Sequence, residues 1–196
     1  MIVVVEGPSA AGKTTWCRRH ADHWLPEPGR WPMDEVLAYQ RRRWREALRG
    51  DAAGEVVVLD GDPFKLYYTY ARWCLGEITG DGWAAEVARV RPLVAAGDHG
   101  LADVILYADP GEAELARRRD GDPTRTRRNF ARHTAMRPAL RRWYEAVAYL
   151  DPTRVVWSHP EGGLTDDLLA VGRRDPRSGA DLFDRLLTAL ESPPPG

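Results

Sequence analysis

Four short runs of apolar, mostly β-branched residues punctuate the chain, at positions 2–5, 55–59, 104–108 and 154–157. They lack the alternation of a half-buried strand, so they predict strands covered on both faces, as in a parallel sheet. Between them the pattern turns helical. A helix is expected over 13–24, stopped by Pro26 and Pro28. Another is expected over 34–49, with Asp34 as its cap and Gly50 as its stop. Further helices are predicted at 64–75 and at 83–96, the latter containing Pro92. Asp109, Pro110 and Glu112 read as cap, first-turn proline and third-position carboxylate of a helix running to 119. Met136, Leu140, Trp143, Val147 and Leu150 are spaced 4, 3, 4 and 3 apart, which is one helical face. A last helix begins at Ser178 and carries Leu182, Leu186 and Leu190. Strands alternating with helices predict an α/β fold, a three-layer αβα sandwich around a mostly parallel sheet.

The 196 residues suit one domain, expected over 1–191, with a disordered proline-rich tail at 192–196. A formal net charge of −1 argues against a nucleic-acid binder. The apolar runs are too short to span a membrane. Cys17 and Cys74 cannot build a disulfide framework, and both are expected reduced, in a cytoplasmic protein. Lys13 and Lys65 are the only lysines among 28 basic residues. A lysine inside a glycine-rich turn therefore stands out.

That turn is Gly7-Pro8-Ser9-Ala10-Ala11-Gly12-Lys13-Thr14, which fits G-x-x-x-x-G-K-[ST] at every fixed position. An expected strand precedes it and an expected helix follows, the context in which this motif binds phosphate. Small residues at Ser9, Ala10 and Ala11 let backbone N–H groups wrap a β-phosphate, and the first helical turn adds partial positive charge. Lys13 is expected to reach the β- and γ-phosphates, the Thr14 hydroxyl to ligate Mg²⁺, and Thr15 to touch the α-phosphate. ATP or GTP is the expected donor.

Phosphoryl transfer to a hydroxyl also needs a carboxylate near the metal and another near the acceptor. Asp60 and Asp62 follow the second strand, at the end where ligands bind in open α/β sheets. Asp60 is assigned to the metal and Asp62 to the acceptor, roles that are interchangeable at this stage. Arginines crowd the segment 117–132, and a lid there offers Arg118, Arg125 and Arg128 to the developing charge. Lys65, Tyr68 and Arg72 fall at i, i+3 and i+7, one cationic and aromatic face for a small-molecule acceptor.

Together these residues resemble the P-loop nucleoside and nucleotide kinase superfamily. Leu59-Asp60-Gly61-Asp62 is similar to the LDGD of adenylylsulfate kinases. Ala102 to Tyr107 resembles the strand leading to the lid in thymidylate and deoxynucleoside kinases. Chloramphenicol phosphotransferases are built similarly. The resemblance implies a P-loop NTPase fold of the nucleotide-kinase type, with an arginine-rich lid and ATP-dependent transfer to a hydroxyl of a nucleoside, antibiotic or biosynthetic intermediate. Pro63-Phe64-Lys65 stands where adenylate and thymidylate kinases carry an arginine after the aspartate, which weighs against a nucleoside monophosphate acceptor. That acceptor remains one alternative, a regulatory nucleotide switch another, and a homodimer is left open.

Overall fold

Strand β1 (Ile2–Glu6) runs through the middle of the sheet in the computed structural model, which describes residues 1–27, 33–121, 130–174 and 178–191. Its side chains explain why it is apolar on both faces. Ile2 and Val4 belong to one hydrophobic cluster, while Val3 and Val5 belong to another. The two-residue period of a strand sends alternate side chains into two different helical layers.

Strands β3 (Val57–Asp60) and β4 (Val104–Tyr107) flank β1. Val5 pairs with Asp60 and Glu6 with Tyr107. Two-residue strands β2 (Trp24–Leu25) and β5 (Val155–Val156) lie outside them, giving the order β2-β3-β1-β4-β5 with every pair parallel. The larger helical layer contains α2 (Met33–Ala52), α3 (Leu66–Cys74), α4 (Gly80–Ala95), α7 (Arg137–Leu150) and α9 (Ser178–Ala189). Helices α1 (Lys13–His20) and α8 (Asp166–Ala170) cover the opposite face through Trp16, Cys17 and Leu168. Helices α5 (Glu112–Asp120) and α6 (Phe130–Ala135) bring Leu115 and Phe130 against Ala11. The sandwich expected from the alternation of elements is present. Among the described residues no helix is long and apolar enough to cross a membrane.

The periodic face of α7 is buried as its spacing predicts, with Met136, Trp143 and Val147 fully enclosed. Several local expectations differ. Helix α1 ends at His20, not at 24, because Ala21 turns extended and the chain enters β2, where Trp24 and Leu25 pair with Val58 and Leu59. Pairing to the sheet outweighs helical propensity there. Gly50 does not stop α2; it lies inside it, where a Cβ would stand 2.5 Å from Val57 Cγ2. Its bareness allows the helix to approach β3 closely. Asp34 falls inside α2, which begins at Met33, one residue before the expected start, and Phe64 precedes α3, which begins at Leu66, two residues after it. Asp109 does not cap α5. Gly111 holds that position, and Asp109 instead takes the Arg137 guanidinium at 2.8 Å. Helix α8 was not expected. The tail at 192–196 lies outside the described residues.

Candidate functional site

The phosphate loop grows from the end of the central strand. Gly7 has φ +149°, and a Cβ there would meet the Ala108 carbonyl oxygen at 2.2 Å, so no other residue fits without moving β4's end. Ala10 also has a positive φ, 75°, a strained conformation for a residue with a side chain. The turn closes with Ala11 N–H donating to Pro8 O at 3.0 Å, and α1 begins at Lys13. The Lys13 ammonium donates to Gly7 O at 2.6 Å and stands 3.5 Å from Glu6 Oε1.

This loop forms one wall of a cleft of about 1560 Å³ at the carboxyl ends of the strands, where the strand order reverses around β1. All residues from Gly7 to Thr15 line it, as do Asp60, Lys65, Tyr68, Arg72 and Arg118. The fold thus gathers segments separated by more than a hundred positions in sequence. Arg125 and Arg128 lie outside the described residues.

The two aspartates part company. Asp60 lines the cleft, with its Oδ1 buried and unpartnered among the described residues. Burial raises its carboxyl above the ordinary range, opposed by a hydrogen bond from the Thr14 side chain and by the Lys13 charge. Arg43, buried in α2, fixes its backbone by donating to Asp60 O at 2.7 Å and Leu25 O at 2.9 Å. Asp62, expected to face the acceptor, instead faces inward. Its Oδ1 accepts from Phe64 N–H at 2.8 Å and its Oδ2 from Tyr144 OH at 3.1 Å. Burial, together with the Glu6 charge, pushes this carboxyl up to about 7. The correction has a simple cause. Gly61 between the aspartates takes φ +76°, so the segment is not extended and its side chains do not share a side.

On the far side of the cleft, Lys65 donates to Glu27 Oε1 at 2.5 Å and to Tyr67 OH at 3.0 Å. Burial raises the Glu27 carboxyl, but the Lys65 ammonium outweighs it and holds the group down near about 2. Arg72 and Arg132 both pair with Glu77, which ties α6 to the end of α3. Tyr68 and His133 meet edge to face, ring centroids 5.9 Å apart, and both line the cleft. Arg118 reaches the phosphate loop itself, donating to Ala11 O at 3.0 Å. A further wall comes from the segment after β5, where His159 Nε2 meets Glu6 O at 2.9 Å and Trp16 donates to Pro160 O at 2.7 Å.

Sequence reading overlooked Glu6, Arg43, His133 and His159. Only Glu6 carried a usable signal, a charged residue closing an otherwise apolar strand directly before Gly7. The others are scattered polar residues that only the fold brings together.

The chain is 30% identical over 202 residues to the thymidylate kinase of Thermomicrobium roseum, covering 86% of this chain and 90% of that protein. No family model matches it. Among solved structures it resembles the deoxyadenosine kinase of M. mycoides with bound dATP, at TM-score 0.59 and 13% identity, over 98% of this chain and 100% of that one. The same enzyme with bound dCTP matches at TM-score 0.57 and 13% identity, over 82% of this chain and 92% of that one. At that identity the likeness speaks for the fold, while the curated relative speaks for the family. The chain belongs to the P-loop nucleoside and nucleotide kinases and is an ATP-dependent phosphotransferase.

Proposed function

We propose that this protein transfers the γ-phosphate of ATP to a hydroxyl group of a nucleoside. The observation that carries the reading is Asp60 Oδ1, an anionic oxygen buried in the cleft with no partner among the described residues. Burying such an oxygen without a donor or cation is unfavourable by several kcal/mol, on the order of the cost for any desolvated ionic group. A hydroxyl proton or a metal ion meets that demand. A second phosphate would not, since its charge repels the carboxylate.

The cations around the acceptor half point the same way. Lys65, Arg72, Arg89 and Arg132 pair with Glu27, Glu77 and Glu86, with Glu77 shared by two arginines, so these pairs leave one positive charge over, less than a phosphate dianion carries. A monophosphate acceptor needs guanidinium or ammonium groups in excess of such pairs. The cleft instead offers aromatic edges at Tyr68 and His133, which suit a nucleobase. The names of the relatives, a thymidylate kinase and a deoxyadenosine kinase, both support an acceptor that bears a nucleobase, and the second supports one without a phosphate.

In this reading backbone N–H groups between Ser9 and Thr15 hold the triphosphate. Lys13 leaves Gly7 O for the β- and γ-phosphates, and Arg118, with Arg125 and Arg128 of the lid, meets the transferred group. Asp60 accepts the hydroxyl proton and aims the oxygen in line. Thr14 would hold Mg²⁺ directly and Asp60 through a water, an arrangement that suits a hard cation and leaves Asp60 Oδ1 for the acceptor hydroxyl. Such an ion, when bound, supplies positive charge to the β- and γ-phosphate oxygens. Lys65, Tyr68 and Arg72 line the acceptor side, with Asp62 behind it as a structural group.

The test is a panel of deoxyadenosine, thymidine, their 5′-monophosphates and hydroxylated antibiotics, each incubated with labelled ATP and Mg²⁺. A nucleoside that gains one phosphate is the expected result. Phosphorylation of dTMP with the nucleosides inert would replace this reading with a monophosphate kinase.

A further inference from the structure

Glu6 stands at the meeting point of the two halves of the cleft. Its Oε1 accepts from Gly7 N–H at 2.8 Å and lies 3.5 Å from the Lys13 ammonium. Its Oε2 accepts from Asp62 N–H at 2.7 Å and from Tyr67 OH at 3.0 Å. The same phenolic oxygen accepts from Lys65 Nζ, also at 3.0 Å, and Lys65 donates on to Glu27. The protein's only two lysines are therefore joined by two side chains, one carboxylate and one phenol.

The direction of every bond is consistent. Lys65 donates to the phenol, the phenol donates to Glu6, and among the described residues the Glu6 carboxylate faces donors alone: two backbone N–H groups, a hydroxyl and an ammonium. A carboxylate accepts at both oxygens and donates at neither, so no other side chain of this length satisfies all four. Glu6 is only 4% exposed, and so is Tyr67 to within a similar margin at 5%, so water is a poor substitute for either.

We propose that Glu6 is a positioning residue that couples the acceptor arm of the cleft, through the Tyr67 hydroxyl, to the phosphate-binding Lys13. It touches neither substrate. It sets the start of the phosphate loop through Gly7 N–H and biases the lysine's resting place. An acceptor that displaces Lys65 from Glu27 alters the bond to Tyr67 and, through Glu6, the field at Lys13. The inference rests on the kinase reading above, and its test separates the two.

The test is a double-mutant cycle on Glu6→Gln, Tyr67→Phe and the double variant, with ATP, Mg²⁺ and deoxyadenosine or thymidine as acceptor. Gln keeps the size of the side chain but sets an N–H₂ group against donors. Phe keeps the ring and removes only the hydroxyl. Glu6→Gln is expected to lower kcat about tenfold or more while KM for ATP moves less than about threefold, the pattern of misplaced groups and not of lost binding. Tyr67→Phe is expected to lower kcat about threefold to tenfold, and the double variant to match Glu6→Gln within about twofold, because the phenol acts through the carboxylate. Multiplying effects would overturn the relay, as would wild-type kcat in either single variant. If Glu6→Gln does not fold, Tyr67→Phe alone decides, and an unchanged kcat sinks the proposal. Should the wild type phosphorylate neither nucleoside, the acceptor reading fails by itself. The same cycle read on magnesium-dependent ATP hydrolysis then decides for or against the relay.

Discussion

Asp60 and Asp62, two positions apart, end on opposite sides of the same wall. Asp60 opens to the cleft beside Thr14, while Asp62 closes onto Tyr144 and Phe64 N–H in the interior. The glycine between them, at φ +76°, turns the chain so that one carboxylate serves the solvent-filled side and the other the core. This divides two chemically identical groups into one that faces the cleft and one that faces the core.

The division predicts opposite outcomes for one substitution. Asp60→Asn should lower kcat by about 100-fold or more, the usual scale for losing a positioned base. Asp62→Asn should leave kcat within a few-fold of wild type and act on stability. Steady-state kinetics on the two purified variants checks this, and a large loss confined to Asp62→Asn would reverse the assignment.

Lys13 supplies an ammonium that already lies against the loop's own carbonyls. Lys13→Ala removes a cation aimed at developing charge, and the expected loss in kcat is about 100-fold or more. Single-turnover transfer from labelled ATP reads it directly. Near-normal turnover would mean that the phosphates lie elsewhere.

Asp62 also sets a pH dependence of stability. Its folded pKa is raised to about 7 by burial and by Glu6, against an unfolded value of about 3.9. Between these values the folded chain holds a proton that the unfolded chain has lost, so this group's contribution is full below pH of about 4 and fades as pH rises towards 7. Asp62→Asn stays neutral throughout. Its melting temperature relative to wild type should therefore rise between pH 5 and pH 8, and parallel melting curves would refute the sign.

The core predicts a contrast between two aromatic residues on the same helix. Trp143 is fully buried in α7 and packs on Phe64 and Tyr70, whereas Tyr149 is 83% exposed. Trp143→Ala should cost about 3–5 kcal/mol and Tyr149→Ala within about 0.5 kcal/mol of nothing. Urea unfolding midpoints distinguish them.

The sequence by itself determined the strand-and-helix alternation, the buried face of α7 and the phosphate loop. These features are written in local periodicity and in a contiguous motif, which need no knowledge of distant partners. Tertiary structure alone decided that Trp24 leaves the expected helix and joins Leu25 at the sheet edge, that Asp62 turns inward, and that Glu6, Tyr67 and Lys65 touch. Each outcome depends on what stands opposite: Val58 and Leu59 for the edge strand, Tyr144 for the aspartate, the end of β1 for the lysine's phenol. A side chain's environment is a property of its neighbours in space, and at these positions those neighbours lie tens of residues away along the chain.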